Sequence, residues 1–163
     1  MFPLEVVTLA RLLVDEARER NLRIVTAESC TGGLVAGAIC SVSGASDVFE
    51  RGFITYSNRA KQELLGVPGD LIADLGAVSE PVARMMAEGA LEASNAHVSV
   101  AVTGVAGPGG GTRLKPVGTV HIATARANQA LMHRAEFFEE ETREGVQLAA
   151  VQAALQALRD RMT

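Results

Sequence analysis

The sequence predicts an α/β fold: a layered α/β/α sandwich around a mixed sheet of about five strands. Segments rich in β-branched residues alternate with segments of helical periodicity, which is typical of strands joined by crossover helices. The strand segment 98–102 is almost entirely apolar and suits a position buried on both faces of a sheet. Two late strand segments are separated only by Arg-Ala-Asn-Gln, which predicts an antiparallel hairpin.

The first third of the chain predicts two helices and two strands. The N-terminal segment repeats apolar residues at helical spacing, and Pro3 suits a first helical turn. A β-branched run then ends in a polar turn with two glycines, and a small-residue apolar helix follows. A Ser-Gly-Ala-Ser turn at 43–46 precedes the second strand. The expected bounds, in order, are residues 4–20, 22–27, 31–40 and 49–57.

The rest of the chain predicts three helices and three strands. Asn58 is expected to cap a short helix that Gly66 ends, and residues 67–77 are expected to form a loop with a helical turn inside it. Ser79 and Pro81 are typical of a helix N-terminus. A glycine-rich loop follows the buried strand, and a long amphipathic helix ends the chain. The expected bounds are residues 59–65, 79–94, 98–102, 117–125, 130–138 and 141–160.

The composition excludes several classes of function. The 163 residues suffice for one continuous core, and we expect a single domain over residues 1–163. The net charge is −4 and the basic residues form no cluster, so we expect no nucleic-acid partner. No apolar stretch approaches the roughly 18–20 residues that span a bilayer, and the acid-bearing N-terminus is unlike a signal peptide. We therefore expect a cytoplasmic protein without a membrane partner.

The cysteines and histidines predict neither a disulfide framework nor a metal site. Cys30 and Cys40 are expected to stay reduced. His97, His121 and His133 are scattered without metal-ligand spacing, and each is predicted to be structural or exposed. We therefore expect no metal and no cofactor, and a Ser-His-Asp triad is disfavoured.

The most informative segment is 22–37, in which an apolar strand leads into a polar turn, two glycines and a helix. Such a turn gathers small polar side chains and free backbone N–H groups, which suit an anion or a developing oxyanion. Thr31, Gly32 and Gly33 can contact that anion, or can simply form a tight turn that requires glycine. Ser29 lies in the same turn and can act either in binding or as a nucleophile.

A serine nucleophile needs a base, and the chain contains two lysines, Lys61 and Lys115. Lys61 follows the second strand, where burial can lower its pKa toward the working pH. Tyr56 can hydrogen-bond to that lysine or to the serine, although an exposed Lys61 and a Tyr56 at the edge of the core are the more common arrangement. Cys30 is the competing nucleophile, but no histidine base accompanies it and a small buried residue is the favoured interpretation.

A second loop, 103–111, is rich in glycine and follows the buried strand. Its composition favours close backbone approach to a ligand over a mobile loop, and it contains no Walker motif. Because α/β sheets bind ligands at the carboxyl ends of parallel strands, this loop and the Ser29 turn are expected to face each other. Arg143 can pair with a phosphate or carboxylate, or lie on the surface. The loop residues predicted to bind substrate are Thr103, Gly104, Ala106 and Gly107.

Five motifs occur in order along almost the whole chain. They read TAESCTGG at 26–33, FERGFITYSNRAK at 49–61, GAVSEP at 76–81, TGVAGP at 103–108 and KPVGTV at 115–120. Together they closely resemble the C-terminal domain of the competence/damage-inducible protein A family. The stand-alone form of that domain is nicotinamide-nucleotide amidohydrolase, also called nicotinamide mononucleotide deamidase. The larger family members carry an additional N-terminal domain.

The resemblance implies an amidohydrolase that converts nicotinamide mononucleotide to nicotinate mononucleotide and ammonia, in pyridine-nucleotide salvage. It also implies a Ser/Lys-type mechanism without a metal. Carried over by motif, Ser29 is the nucleophile, Lys61 its general base and Tyr56 a hydrogen-bonding partner. Ser46 also lies in a family motif, and is an alternative nucleophile or a relay.

The resemblance also implies the substrate contacts. Backbone N–H groups from Cys30 to Gly33 would face the oxyanion, and the glycine loop with Arg143 would hold the nucleotide phosphate. Arg143 matches a family arginine. The family often has an acidic residue before it and a second arginine four positions later, where this chain has Thr142 and Gln147.

Two further hypotheses remain open from the sequence. One is a nucleotide-binding module of the same fold without turnover, and the other is a cysteine-dependent enzyme that uses Cys30. In each case the expected partner is a small-molecule nucleotide. The resemblance and the apolar surplus also suggest a homo-oligomer, a dimer or larger.

Overall fold

A computed structural model describes all residues from Met1 to Thr163, and its centre is a sheet of five strands. Six helices and one 3-10 turn at Ala45–Asp47 surround the sheet. The helices are α1 Leu4–Glu19, α2 Leu34–Cys40, α3 Asn58–Leu65, α4 Gly69–Leu75, α5 Glu80–Glu92 and α6 Arg143–Met162. The strands are β1 Ile24–Glu28, β2 Phe49–Ile54, β3 Val98–Gly104, β4 Thr119–Arg126 and β5 Met132–Phe137.

The strand order is β2-β1-β3-β4-β5, with a parallel half and an antiparallel half. β1 pairs in parallel with β2 and β3, whereas β4 pairs antiparallel with both β3 and β5. The predicted mixed sheet and late hairpin are confirmed. Because β1, β2 and β3 run in the same direction, their carboxyl ends lie at one edge, where α/β sheets bind ligands.

Helices cover both faces of the sheet, so two apolar cores form. Alternate residues of β1 enter opposite cores: Ile24 packs with the layer of α1, α2 and α6, whereas Val25 and Ala27 pack with the layer of α3, α4 and α5. β1 and β3 are central, and all their residues except Gly104 are buried. Removing this apolar surface from water is the main driving force for the sandwich.

Several element boundaries differ from the sequence prediction. α2 begins at Leu34 rather than near Thr31, because Gly33 takes a left-handed conformation (φ 101°) and stands outside the helix. α3 is capped by Ser57, whose hydroxyl accepts the N–H of Ala60, rather than by Asn58. The segment predicted as a loop at 67–77 contains the seven-residue helix α4. None of the six helices has the length and apolarity needed to cross a membrane.

Candidate active site

A cavity of about 280 Å³ opens at the carboxyl ends of β1, β2 and β3. Its size lies near the lower end of the roughly 300–1,000 Å³ typical of small-molecule sites. The Ser29 turn and the glycine loop face each other across it, as the sequence predicts. The lining residues are Ser29, Cys30, Tyr56, Asn58, Lys61, Ala77, Val78, Thr103, Gly104, Val105, Ala106, Gly107, Gly109, Gly110 and Arg143.

A serine and a lysine meet at the floor of this cavity. The Lys61 amine lies 2.9 Å from the Ser29 hydroxyl oxygen, which is within hydrogen-bond distance. Both residues are buried, with Lys61 only 1% exposed. Thirty-two positions separate them in the sequence, and the parallel pairing of β1 with β2 brings them together.

Two main-chain carbonyls complete the surroundings of the Lys61 amine. The amine donates to the carbonyl oxygen of Thr55 at 2.8 Å and to that of Tyr56 at 3.2 Å. Because carbonyl oxygens only accept, the neutral amine must turn its two N–H groups toward them. Its lone pair then faces the Ser29 hydroxyl, and the serine proton can be transferred along this contact.

Burial tunes the Lys61 amine for that transfer. Desolvation lowers the pKa of Lys61 from 10.5 to about 8, since the charged form is disfavoured away from water. No carboxylate forms an ion pair with Lys61 to oppose this effect. A substantial fraction of the amine is therefore neutral close to physiological pH, which a general base requires.

The Ser29 turn offers fewer free backbone donors than its sequence suggests. The Ser29 N–H donates to the carbonyl of Val102, and the Gly32 N–H donates to Ser29. The Cys30 N–H has no backbone acceptor, and Cys30 lines the cavity. Thr31, Gly32 and Gly33, which the sequence predicts as anion contacts, are not among the residues that line the cavity.

The side chain of Glu28, which the sequence interpretation overlooked, explains why Thr31 turns away. The Thr31 hydroxyl donates to the Glu28 carboxylate at 2.7 Å, and Thr31 is fully buried. The only signal available in the sequence was a lone acidic residue at the end of an otherwise apolar strand.

The glycine loop forms the opposite wall. Gly104, Ala106 and Gly107 line the cavity, and the N–H groups of Ala106, Gly107, Gly109 and Gly110 have no backbone acceptor. Thr103 lies beneath them and donates its hydroxyl to the carbonyl of Ala77, which fixes the adjoining wall. Gly104 is needed for packing, since a Cβ there would lie 2.8 Å from the carbonyl oxygen of Thr119.

Arg143 lies at the mouth of the cavity and contacts the glycine loop and Tyr56. Its guanidinium donates to the Gly107 carbonyl and to the Tyr56 hydroxyl, each at 2.7 Å. Tyr56 therefore contacts Lys61 through its main-chain carbonyl, while its phenol contacts Arg143 rather than the lysine or serine. Gln147, one turn further along α6, donates its side-chain amide to the carbonyl of Cys30 at 3.0 Å.

Other predicted candidates lie elsewhere or are chemically unsuited. Ser46 is exposed in the 3-10 turn and lines a separate depression with Cys40 and Phe49, so it does not reach Lys61. Burial raises the pKa of the Cys30 thiol to about 12, which keeps it protonated and argues against a thiolate nucleophile. No histidine lines the cavity. His97 accepts the Arg23 N–H, and His121 and His133 contact each other on the distant strands β4 and β5.

A second, larger groove of about 720 Å³ lies between α1, β5 and α6. Its lining is Leu4, Glu5, Thr8, Leu9, Arg134, Phe138, Ala149, Gln152, Ala153 and Gln156. It contains no nucleophile paired with a base. The chemistry therefore favours the smaller cavity as the active site.

Comparison with known proteins identifies the family and agrees with the overall fold. The model of the CinA C-terminal domain family matches residues 6–162. A solved structure of competence/damage inducible protein CihA from Agrobacterium tumefaciens superposes with a TM-score of 0.96 at 45% identity, covering 98% of this chain and 97% of that one. A CinA superfamily structure from Escherichia coli gives a TM-score of 0.90 at 36% identity, covering 96% and 90%.

Curated relatives divide into long and short proteins. A CinA-like protein of Akkermansia muciniphila is 58% identical over 118 residues, which is 72% of this chain and 28% of that protein. This chain spans only about a quarter to a third of the long relatives that it matches. The nicotinamide-nucleotide amidohydrolase PncC of Escherichia coli is 46% identical over 94% of this chain and 93% of its own length. The chain belongs to the CinA C-terminal domain family.

Proposed function

We propose that this protein is a nicotinamide-nucleotide amidohydrolase, with residues 1–163 acting as one amidohydrolase-like domain. In this proposal it hydrolyses the carboxamide of nicotinamide mononucleotide to nicotinate mononucleotide and ammonia. The observation that carries the proposal is the 2.9 Å contact between the buried Lys61 amine and the Ser29 hydroxyl. The similarity to the Escherichia coli amidohydrolase over nearly the full length of both chains supports the substrate class.

The first half-reaction would use Lys61 as the base and Ser29 as the nucleophile. Neutral Lys61 takes the hydroxyl proton while the Ser29 oxygen attacks the carboxamide carbon. The amide oxygen gains negative charge in the tetrahedral intermediate. The N–H of Cys30 follows the nucleophile directly, and Ala106 and Gly107 line the other wall with N–H groups that have no backbone acceptor, so these groups are the available oxyanion donors.

The same lysine then serves as the acid. The Lys61 ammonium returns its proton to the departing nitrogen, the C–N bond breaks, and ammonia leaves behind an ester on Ser29. Water then attacks that ester, and Lys61 accepts a proton from the attacking water molecule. As the ester bond breaks, the Lys61 ammonium gives this proton to the Ser29 oxygen, which restores the Ser29 hydroxyl and the neutral amine. The released acid then loses its own proton to solvent as nicotinate mononucleotide.

Arg143 supplies the positive charge at the cavity mouth. Two of its five N–H groups are used by Gly107 and Tyr56, so others remain for the phosphate of a nucleotide. The free N–H groups of Gly109 and Gly110 lie on the same wall and can add hydrogen bonds to phosphate oxygens.

Ammonia release tests this proposal. Purified wild-type protein should release ammonia from nicotinamide mononucleotide. Ser29→Ala and Lys61→Met should each lower kcat by at least about 100-fold, the smaller effect expected for loss of a general base. The matched control is Lys115→Met at the other lysine, which should retain wild-type kcat. Nucleotide binding without turnover in the wild type would instead indicate a binding module, and a Ser29→Ala variant with wild-type turnover would refute the mechanism.

A further inference from the structure

Glu28 is a buried carboxylate for which the proposed reaction has no use. It ends β1 immediately before Ser29 and is fully buried. No lysine, arginine or histidine forms an ion pair with it. Burying a carboxylate without a cation is costly unless hydrogen bonds compensate for the lost water. Its position next to the nucleophile therefore requires an explanation.

Three donors from the turn and from α2 compensate this carboxylate. One oxygen accepts the Thr31 hydroxyl at 2.7 Å and the Val35 N–H at 2.8 Å, and the other accepts the Ala36 N–H at 3.0 Å. Gly33 occupies the N-cap position of α2 and has no side chain to do this. From its position in the preceding strand, Glu28 thus supplies the cap that α2 otherwise lacks.

Through these contacts Glu28 holds both ends of the segment that carries Ser29. The backbone of Glu28 is fixed in the sheet, because its carbonyl accepts the N–H of Thr55 at 2.8 Å. Its side chain holds Thr31 and the first turn of α2, so residues 29–34 are fixed at both ends. Ser29 is also fixed by its own N–H, which donates to Val102.

Glu28 is also linked to Lys61, the proposed base. Thr55 donates its N–H to Glu28 and accepts the Lys61 amine at its carbonyl oxygen, 2.8 Å away. A single residue, Thr55 directly after β2, therefore lies between Glu28 and Lys61. Displacement of the Glu28 end of β1 would change the distance between the Ser29 oxygen and the Lys61 amine.

We propose that Glu28 is a positioning residue that holds Ser29 within proton-transfer distance of Lys61, by tying the Ser29 turn and α2 to the end of β1. The inference rests on the proposed function of Ser29 and Lys61. It assigns Glu28 no contact with substrate. Its removal should therefore lower kcat and leave KM nearly unchanged, because Arg143 and the glycine loop bind substrate separately.

Three variants separate positioning from folding. Glu28→Gln keeps the shape of the side chain but places an amide NH2 against an N–H donor, so at least one hydrogen bond is lost. Thr31→Val removes only the tie to the turn and leaves the contacts of Glu28 with Val35 and Ala36 intact. Thr31→Ser retains the hydroxyl and is the matched control.

Two rates are measured on each folded variant. The first is ammonia release from nicotinamide mononucleotide, resolved into kcat and KM. The second is the rate at which a fluorophosphonate probe labels Ser29, followed by mass spectrometry, with Ser29→Ala as the control for the site. Labelling reports activation of the serine without depending on the amide substrate. Circular dichroism establishes that each variant is folded at the assay temperature.

We expect kcat and the labelling rate to fall together by about 100-fold for Glu28→Gln, the effect of a misplacement of roughly 1 Å at a reacting group. We expect about a tenfold loss for Thr31→Val and a loss within about twofold for Thr31→Ser. KM should change by less than about threefold. If Glu28→Gln does not fold, the pair of Thr31 variants still decides the question.

Wild-type kcat and labelling in a folded Glu28→Gln or Thr31→Val variant would overturn the inference. Equal losses in Thr31→Val and Thr31→Ser would also overturn it, because the hydroxyl would then be irrelevant. If the wild type is labelled at Ser29 but releases no ammonia, the proposed substrate is wrong, and the labelling rates alone decide the role of Glu28. A wild type that is neither labelled nor active would refute both proposals.

Discussion

The dependence of activity on pH follows from the environment of Lys61 and can be worked out in magnitude. The pKa of Lys61 is lowered to about 8 by burial, and only the neutral amine can accept the Ser29 proton. At pH 7 about one tenth of the amine is neutral, and near pH 9 about nine tenths is. Activity limited by this proton transfer should therefore rise by about tenfold between those two pH values.

The assay is kcat/KM for ammonia release, measured from about pH 6 to about pH 10, because this ratio reports the ionisation of free enzyme and free substrate. Below the pKa of Lys61 the logarithm of kcat/KM should rise with a slope of one, and above it a plateau should follow. The profile of Lys115→Met should match that of the wild type, since this lysine contacts the Leu75 carbonyl outside the cavity lining.

Substitution of Lys61 sharpens the test. Lys61→Arg retains the positive charge, but a guanidinium does not lose its proton in this range and cannot act as a base. This variant should have very low activity at every pH. A wild-type profile that is flat from about pH 6 to about pH 9, or an active Lys61→Arg variant, would refute the assignment of Lys61 as the base.

Three further predictions concern stability and binding. Between about pH 8 and 10.5 the unfolded chain holds the Lys61 proton that the folded protein has released, so the free energy of unfolding of the wild type, measured in urea, should rise with pH. Lys61→Met should remove this rise, and a rise that persists in the variant would contradict the lowered pKa of Lys61. Arg143→Ala should raise KM by about 10- to 100-fold, the effect of losing a hydrogen bond between charged groups, while Arg59→Ala, an exposed arginine paired with Glu63, should not. Ser57→Ala should lower the free energy of unfolding by about 1 kcal/mol through loss of the α3 cap, and an unchanged urea midpoint would count against that cap.

Local sequence signals predict most of the fold, for physical reasons that are also local. The β-branched run at the start of β1 and the apolar segment of β3 are strand signals that burial on both faces reinforces. Ser79 caps the start of α5 with its own hydroxyl, and Gly66 ends α3 with its left-handed φ, so adjacent residues suffice to predict these two boundaries. The difference at Asn58 arises because Ser57 and Asn58 are both good caps, and the backbone path out of β2 decides between them.

The candidate site is less local, and the sequence predicts only part of it. The expectation that Ser29 and Lys61 are the key pair depends on family motifs, because their 2.9 Å contact requires the parallel register of β1 and β2. Other contacts between residues that are far apart in the sequence cannot be predicted from local sequence patterns. Arg143 and Tyr56 are 87 positions apart, and Gln147 and Cys30 are 117 apart.

Glu28 escapes for a different reason. Its partners are close in sequence, but its role depends on the left-handed Gly33 that leaves α2 without a cap of its own. The sequence predicts glycine freedom at this turn, but it does not indicate which side chain replaces the cap. The Thr31 hydroxyl donates to this Glu28 carboxylate, and Thr31 is therefore not among the residues that line the cavity.

Trapping of the acyl intermediate tests the central claim most directly. Hydroxylamine added during turnover of nicotinamide mononucleotide competes with water for an ester on Ser29, and its product is a hydroxamate of the nucleotide. The wild type should form this hydroxamate in proportion to the hydroxylamine concentration, and Ser29→Ala should form none. Turnover to nicotinate mononucleotide without any hydroxamate, or undiminished hydroxamate formation by Ser29→Ala, would contradict the account.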